Sequence, residues 1–369
     1  MKIGIITHHW GRDNYGQYLQ HYAMQEFLRS QGHEPYLINF IPSTSLGKLF
    51  VKALLHPGKA ITFLGKRLRG NTCPSNDIEG ERSRSFGAFR NKHFAISPVS
   101  YRTIAHLRKM PPEADIYITG SDQVWNPFGF ISAIPAFFLD FGSPEVKRIA
   151  YAASWGRRAI PPEEYAIVVP LLKKFDKVTV RENSGVKLCC QCGYEQASCA
   201  PDPTFLLTRE QYRKISIAPI SADEKYVLIY RVHNAGGDDF EYARLLQWAK
   251  ARGLAIKYVT GNGLKDQYPK LYPSIEEWLG LIEGAEYIVT NSFHGTVFAL
   301  IFQKRFGTIS LCGKSKGMNA RVDTLFESLG MDARYIQNND FSILDQPYIA
   351  DTAEVTAMAR RILTDSVAG

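Results

Sequence analysis

The chain contains 369 residues, of which 45% are hydrophobic and 22% charged, so it is long enough for about two domains and is neither a small disulfide scaffold nor a disordered tail. It has no run of the roughly 18 apolar residues that span a bilayer and no secretory signal at its start, which favours a cytoplasmic protein. The formal net charge is +8, and six Lys or Arg residues between Lys48 and Gly70 account for most of it, so no nucleic-acid partner is expected.

The first elements follow the order strand, loop, helix, strand. Lys2 to Thr7 is a short apolar run, Tyr18 to Arg29 has helical spacing, and Pro35 to Phe40 is strand-like. This order is the beginning of an alternating α/β fold.

The next stretch is basic and amphipathic. Lys48, Lys52 and His56 fall on one face of a predicted helix that ends at Pro57-Gly58, and the apolar residues on its other face are Leu46, Phe50 and Leu54. Two interpretations stay open: a solvated surface helix, or a patch that rests on anionic lipid or on a phosphorylated acceptor. Vesicle binding that ignored anionic lipid content would contradict the second.

The same order of elements recurs in the second half. Tyr226 to Val232 and Ala255 to Thr260 are strand-like, and Phe240 to Lys250, between them, has helical spacing. In addition, Ala114 to Ser121 and Ala285 to Ser292 agree in character at nearly every place. The sequence therefore predicts two Rossmann-like domains that face each other across a cleft, with mostly parallel sheets.

We place the domain boundary near residue 205. Residues 1–205 form the first domain, with the basic segment inserted near 42–98, and residues 206–369 form the second. The final helix is expected to pack back on the first domain.

Polar residues just beyond the carboxyl ends of strands are the candidate ligand contacts in such a fold. The first domain places amides, hydroxyls, carboxylates and aromatic rings together there, which is typical of a sugar site. These residues are Asp13, Asn14, Tyr15, Gln17, Ser121, Asp122, Gln123, Trp125, Asn126 and Ser154. Asp122 could alternatively cap a helix. Arg181, after the strand Lys177 to Val180, is a candidate anion clamp, although a surface pair with Glu182 is the alternative.

In the second domain a strand leads into Asn291 to Thr296 and then into a helix. A helix N-terminus offers unpaired N–H groups and partial positive charge, and a phosphate is expected there. Gly295 lets a ligand approach the backbone, and His294 can carry a proton at neutral pH. Lys314 and Arg321 follow in a Gly/Ser/Asn-rich loop that could close over the anion.

Several familiar motifs are missing. Gly313-Lys314-Ser315 lacks the first glycine of a Walker A loop, Gly261-x-Gly263 lacks the third glycine of a dinucleotide fingerprint, and there is no His-Glu-x-x-His and no Gly-x-Ser-x-Gly. Cys189 and Cys192 form a Cys-x-x-Cys pair, but the sequence has no second such pair and no nearby His, which disfavours a zinc site. We therefore expect no metal and no bound cofactor.

Taken together, these segments resemble the polysaccharide pyruvyl transferase family, over roughly Ile3 to Leu329. The motifs that carry the resemblance are Asp13-Asn-Tyr-Gly16, Gly120-Ser-Asp-Gln-Val-Trp-Asn126, Tyr151-Ala-Ala-Ser-Trp-Gly156, Val180-Arg-Glu182, Asp202-Pro-Thr204 and Asn291-Ser-Phe-His-Gly295. The resemblance implies a fold similar to GT-B glycosyltransferases. It also implies transfer of pyruvate from phosphoenolpyruvate to hydroxyls of a bacterial surface polysaccharide or its lipid-linked precursor, with a cyclic ketal as product and phosphate released.

The resemblance also implies roles for residues. Residues 1–205 would be the acceptor side and residues 206–369 the phosphoenolpyruvate side. Arg181, His294 and the backbone around Phe293 would bind the donor, with Gly295 and Thr296 beside them. His294 is the expected general acid, and either Asp13 or Asp122 the base.

One departure from the family pattern affects donor binding. Many members carry an Arg two residues before the His, and this chain has Ser292 there. Arg231 or Arg321 is expected to supply the missing cation. The alternative functions are a GT-B glycosyltransferase that uses a nucleotide sugar and a non-catalytic sugar-binding module. A lipid-linked acceptor would place the enzyme at the inner leaflet, with the basic segment in peripheral contact with anionic membrane.

Overall fold

The computed structural model describes residues 1–11, 14–42, 84–127, 130–218, 224–232, 240–261, 264 and 266–369. Asp13 and the basic stretch Lys48 to Gly70 lie outside the described residues, so the predictions about them stay predictions. Among the described residues, no helix is both long enough and apolar enough to cross a bilayer.

The first domain is built on a sheet of seven parallel strands with the order β3-β2-β1-β4-β5-β6-β7. The central strands are apolar and almost wholly buried, as strands covered on both faces must be. The strands are β1 Lys2–Ile6, β2 Glu34–Phe40, β3 Ile96–Tyr101, β4 Ile116–Gly120, β5 Lys147–Ala153, β6 Lys177–Val180 and β7 Ser198–Cys199.

The second domain has a five-stranded parallel sheet with the order β12-β11-β10-β8-β9. Its strands are β8 Tyr226–Arg231, β9 Ala255–Thr260, β10 Tyr287–Thr290, β11 Arg305–Ile309 and β12 Tyr335–Ile336. Both sheets reverse their strand order beside β1 and β8, the first strand of each domain. A switch of this kind opens a crevice at the carboxyl ends of the strands, where ligands bind in open α/β sheets.

The described helices connect these strands. In the first domain they are α1 Tyr15–Ser30, α2 Phe86–His93, α3 Ile104–Lys109, α4 Ile134–Phe137, α5 Pro162–Leu172 and α6 Asn183–Gln191. In the second they are α7 Arg209–Arg213, α8 Tyr242–Lys250, α9 Ile275–Gly284, α10 Phe293–Ile301, α11 Ala320–Ser328 and α12 Thr352–Ala368. Short 3-10 helices cover Ile131–Ala133, Pro203–Leu206, Gly313–Asn319 and Phe341–Leu344.

One hydrophobic core cluster contains residues of both domains. At its centre Tyr15 stacks on Trp278, with ring centroids 4.9 Å apart, and its hydroxyl donates to the Pro273 carbonyl at 2.8 Å. Helix α12, at the end of the chain, also reaches the first domain, where the Tyr151 hydroxyl donates to the Ala359 carbonyl at 3.1 Å. These contacts hold the two domains together, with the carboxyl-terminal edges of their sheets facing each other.

The predicted fold class is confirmed: the protein is α/β, with two Rossmann-like domains and parallel sheets. The predicted strand Ala255 to Thr260 coincides with β9, and Tyr226 to Val232 exceeds β8 by one residue. The first helix begins at Tyr15 rather than at Tyr18, because the Asn14 side chain caps it by accepting from the Gln17 amide.

Candidate active site

Two helix N-termini meet in the cleft. Helix α1 begins after its cap Asn14, and helix α10 begins after its cap Ser292, whose side chain accepts from the Gly295 amide. The first turn of α1 packs on His294, since a Cβ added at Gly16 would overlap the imidazole ring. A helix N-terminus carries partial positive charge, so the point where the two helices converge favours an anion.

Arg181 and Asp202 form a buried ion pair beside these termini. The Arg181 Nη1 donates to Asp202 Oδ2 at 2.6 Å and to Ser121 Oγ at 3.2 Å, and Ser121 Oγ donates to the same carboxylate oxygen at 2.9 Å. The other oxygen, Oδ1, accepts from the Thr204 amide at 3.0 Å and from its hydroxyl at 2.8 Å. Asp202 is therefore satisfied on both sides.

A second guanidinium lies near the first. The Arg181 and Arg321 guanidinium carbons are 4.5 and 5.7 Å from the centroid of the Phe293 ring. Burial, followed by repulsion from Arg181, lowers the pKa of Arg321 to about 10. Within the described part of the chain, the buried Nε and Nη2 of Arg181 have no hydrogen-bond partner. Donors held in this way are suited to the oxygens of a bound anion.

His294 is the titratable group closest to this pair. Its Nε2 lies 3.5 Å from Asp202 Oδ2, and the side chain is 7% exposed. No residue in the described ranges makes a hydrogen bond with Nε2. The ring is thus placed to exchange a proton with a ligand while a carboxylate stands beside it.

Asp122 faces the same cations. Its Oδ1 is 3.6 Å from Arg181 Nη2, and its backbone has a left-handed φ of 72°. Burial would raise the pKa of Asp122, but the neighbouring Arg181, His8, His294 and Arg321 lower it overall. The Asp122 carboxyl group therefore stays ionised at neutral pH, as a general base requires. Asp122 caps none of the described helices, and the other predicted base, Asp13, lies outside the described residues.

Glu182, next to Arg181, does not form the alternative surface pair. Its Oε1 accepts from Ser154 Oγ at 3.1 Å and from the Trp155 amide at 2.9 Å, and the side chain is buried. Glu182 fixes the loop after β5, and Ser154 is turned into that contact rather than towards a ligand.

Three further residues predicted to contact the acceptor also lie inside the protein. Trp125 is 2% exposed and stacks on Phe138 with centroids 4.8 Å apart, so the prediction of a sugar platform there is wrong. Tyr15 is buried between the domains, and Ser121 is buried in the contact with Asp202. Their polar atoms bind protein groups, which removes these residues from the acceptor set.

The remaining acceptor candidates lie nearer to the cleft. Asn14 and Asn126 are half-buried, and the Gln123 amide contacts Met318 of the second domain, with 3.7 Å between Nε2 and Sδ. Gln17 supports the loop before α1, because its Oε1 accepts from the Gly11 amide at 2.8 Å. Trp10, after strand β1, is a half-buried aromatic residue that was not predicted as an acceptor contact. Its ring centroid lies 4.9 Å from that of His8.

Two donor residues near His294 have structural contacts instead. A Cβ at Gly295 would overlap the Thr290 side chain, so this glycine permits the packing of α10 on β10 rather than the approach of a ligand. Thr296 is fully buried, and its hydroxyl donates to the Ser292 carbonyl at 3.2 Å. These contacts are structural, and the roles of Gly295 and Thr296 in donor binding stay predictions.

The structure separates the two candidates for the missing cation. Arg231 is held away from the Phe293 ring, since its Nη1 donates to Tyr258 at 3.2 Å and lies 3.9 Å from Asp266 Oδ2. Arg321 is the one beside Phe293. Lys314 lies in the 3-10 helix Gly313–Asn319 that precedes α11.

A comparison with protein families identifies the family of the chain. The family model described as polysaccharide pyruvyl transferase matches residues 14–312, most of the chain. The chain belongs to the polysaccharide pyruvyl transferase family. It is thus a transferase, and the family's activity implies a polysaccharide acceptor. No protein with a curated function matches the sequence.

Solved structures resemble this member of the pyruvyl transferase family in fold. The UDP-GlcNAc 2-epimerase of Methanocaldococcus jannaschii in complex with UDP-GlcNAc and UDP is 12% identical, with a TM-score of 0.54 over 99% of this chain and 100% of that one. An alpha-glucosyltransferase (AGT) in complex with UDP is 12% identical, with a TM-score of 0.52 over 99% of this chain and 96% of that one. The resemblance places the chain in the GT-B-like group of folds.

Proposed function

We propose that the protein transfers pyruvate from phosphoenolpyruvate to two hydroxyls of a sugar in a surface polysaccharide or its lipid-linked precursor. The product is a cyclic pyruvate ketal, and phosphate is released. Membership of the family supports the transfer of pyruvate to polysaccharide. The donor and the form of the acceptor are our inference from the site.

The observation that carries the proposal is a set of buried cationic donors without a hydrogen-bond partner among the described residues. These atoms are Arg181 Nε and Nη2 and His294 Nε2, and they lie beside two converging helix N-termini. Most buried polar groups have a hydrogen-bond partner, supplied by the protein, by ordered water or by a ligand. Phosphoenolpyruvate carries a phosphate and a carboxylate, which match guanidinium and helix-terminus chemistry.

The reaction follows from this placement. His294 protonates the methylene carbon of phosphoenolpyruvate, which becomes the methyl group, and C2 gains oxocarbenium character. One sugar hydroxyl adds to C2 and gives its proton to a carboxylate, for which Asp122 is the described candidate. The C2–O bond to phosphate breaks, the second hydroxyl closes the ketal, and its proton leaves with the phosphate.

Arg321 is the cation that compensates for Ser292. Ser292 caps α10 through the Gly295 amide, so its position serves the helix terminus rather than a direct charge contact. Arg321 approaches the Phe293 ring from α11, in a different part of the chain. Its lowered pKa of about 10, caused first by burial, still leaves it charged at neutral pH, as an anion contact requires.

The proposal is tested by phosphate release from phosphoenolpyruvate in the presence of an oligosaccharide acceptor, with mass analysis of the product. We expect His294→Gln to lower kcat by about 10²-fold or more, because the proton donor is lost while the buried shape is nearly kept. The thermal midpoint of the variant serves as the control for folding. Unchanged turnover in a folded His294→Gln protein would remove His294 from the mechanism, and a product without pyruvate would refute the proposal itself.

A further inference from the structure

We infer that Asp202 is a positioning residue whose two carboxylate oxygens have different roles. Oδ1 stabilises the backbone at Thr204, and Oδ2 orients the proton donor His294 and the anion-binding Arg181. The inference rests on the proposed function for its kinetic consequences. Its electrostatic consequence for the adjacent His294 imidazole is measurable without turnover.

The contacts of the two oxygens support this division. Among the described residues, Oδ1 accepts from the main chain and hydroxyl of Thr204, in the first turn of the 3-10 helix Pro203–Leu206 that Asp202 caps. Oδ2 accepts from Arg181 Nη1 at 2.6 Å and from Ser121 Oγ at 2.9 Å, and it lies 3.5 Å from His294 Nε2. A single oxygen therefore touches both side chains assigned to the donor.

Asp202 is ionised whatever the pH in the working range. Its side chain is fully buried, and burial alone would raise its pKa, but His294, Arg181 and the Thr204 donors together hold that pKa far below its usual range. A permanent buried carboxylate next to an imidazole stabilises the imidazolium. It also orients the guanidinium, whose remaining N–H groups are left for a ligand.

The other charged groups of this buried cluster are Asp122, Glu182, Arg181 and Arg321. Asp122 interacts electrostatically with His294. Asp202→Asn removes one carboxylate from the cluster and leaves these four groups unchanged.

Asp202→Asn is the decisive variant, because the protein itself orients the new amide. The Thr204 amide and hydroxyl donate to Oδ1, so the amide oxygen must take that place and the NH₂ group must face Arg181 and His294. The substitution thus preserves the shape and the helix cap, while Oδ2 loses its charge and its ability to accept.

We expect three results for Asp202→Asn. The His294 imidazole signal, assigned by its absence in His294→Gln, should titrate at a lower pH than in the unmodified protein, because the imidazolium loses its partner. The alkaline limb of the kcat/KM profile should move in the same direction. The value of kcat/KM at neutral pH should fall by about 10²-fold.

Thr204→Val is the matched control. It removes a hydroxyl that donates to Oδ1 and leaves Oδ2 unchanged, so the pH profile should stay in place even if stability falls. A folded Asp202→Asn protein in which His294 titrates as before would overturn the inference. If the unmodified protein does not turn over phosphoenolpyruvate but the His294 titration still moves in Asp202→Asn, the proposed function fails and the role of Asp202 as the partner of His294 stands.

Discussion

At the scale of the residue, the site depends on a few buried polar side chains that the protein leaves incompletely paired. Arg181, Arg321 and His294 come from different elements and meet around Phe293. The Arg181 guanidinium is held in place by Asp122 and Asp202 before any ligand arrives. In a site of this kind the polar side chains become ordered during folding, so they need little reorganisation when a ligand binds.

Arg321 is predicted to bind the donor and Arg231 is not. Arg321→Met keeps the aliphatic stem and removes the guanidinium, so the affinity for phosphoenolpyruvate should fall by about 10-fold to 10²-fold, the value of a charged hydrogen bond. Arg231→Met should leave that affinity nearly unchanged and lower stability instead, because Tyr258 and Asp266 lose their partner. Equal effects of the two substitutions on donor affinity would contradict this assignment.

Some of these residues could be predicted from sequence, for a physical reason. Arg181 and His294 each follow a strand, and the carboxyl ends of parallel strands share one edge of a sheet. The direction of a side chain beyond the strand is not encoded locally. Trp125 and Ser154 therefore satisfied the same pattern and yet point into the core.

At the scale of the element, the convergence of α1 and α10 defines the site. The sequence predicted a helix from Tyr18 and another after Asn291 to Thr296, but not that the two helix N-termini would touch. Asp202 was harder still. The role of Asp202 depends on contacts with Ser121 and His294, which lie 81 and 92 positions away along the chain, and no local pattern reports such contacts.

Gly16 tests that convergence. In Gly16→Ala the added methyl group would overlap the His294 ring, so either the imidazole is displaced or the helices separate. We expect kcat to fall by about 10-fold or more, since misplacement of a reacting group by about 1 Å has effects of this size or larger.

Gly87→Ala is the control for the Gly16 experiment. It also lies in a first helical turn, in α2, but an added methyl group meets nothing within 4 Å. This substitution should leave kcat unchanged and raise stability by about 0.4–1 kcal/mol. Normal kcat in Gly16→Ala, measured beside this control, would show that the close contact does not matter.

At the scale of the whole molecule, the two domains form one cleft rather than two independent units. The shared core around Tyr15 and Trp278 and the return of α12 to Tyr151 bring together the edges of both sheets. The repeated strand, loop, helix, strand order made this architecture predictable. Segments with the helical period of 3.6 residues alternate along the sequence with short apolar runs typical of buried strands. The excess charge lies largely in the basic segment, so the cleft acts through its buried groups and not through the net charge of +8.

The central claim is that this cleft holds phosphoenolpyruvate. Titration calorimetry of the full chain with phosphoenolpyruvate, and separately with a nucleotide sugar such as UDP-GlcNAc, tests it most directly. The arrangement of Arg181, Arg321 and His294 predicts saturable binding of phosphoenolpyruvate that weakens in Arg321→Met. Binding of the nucleotide sugar alone, with no heat from phosphoenolpyruvate, would contradict the account and favour a glycosyltransferase.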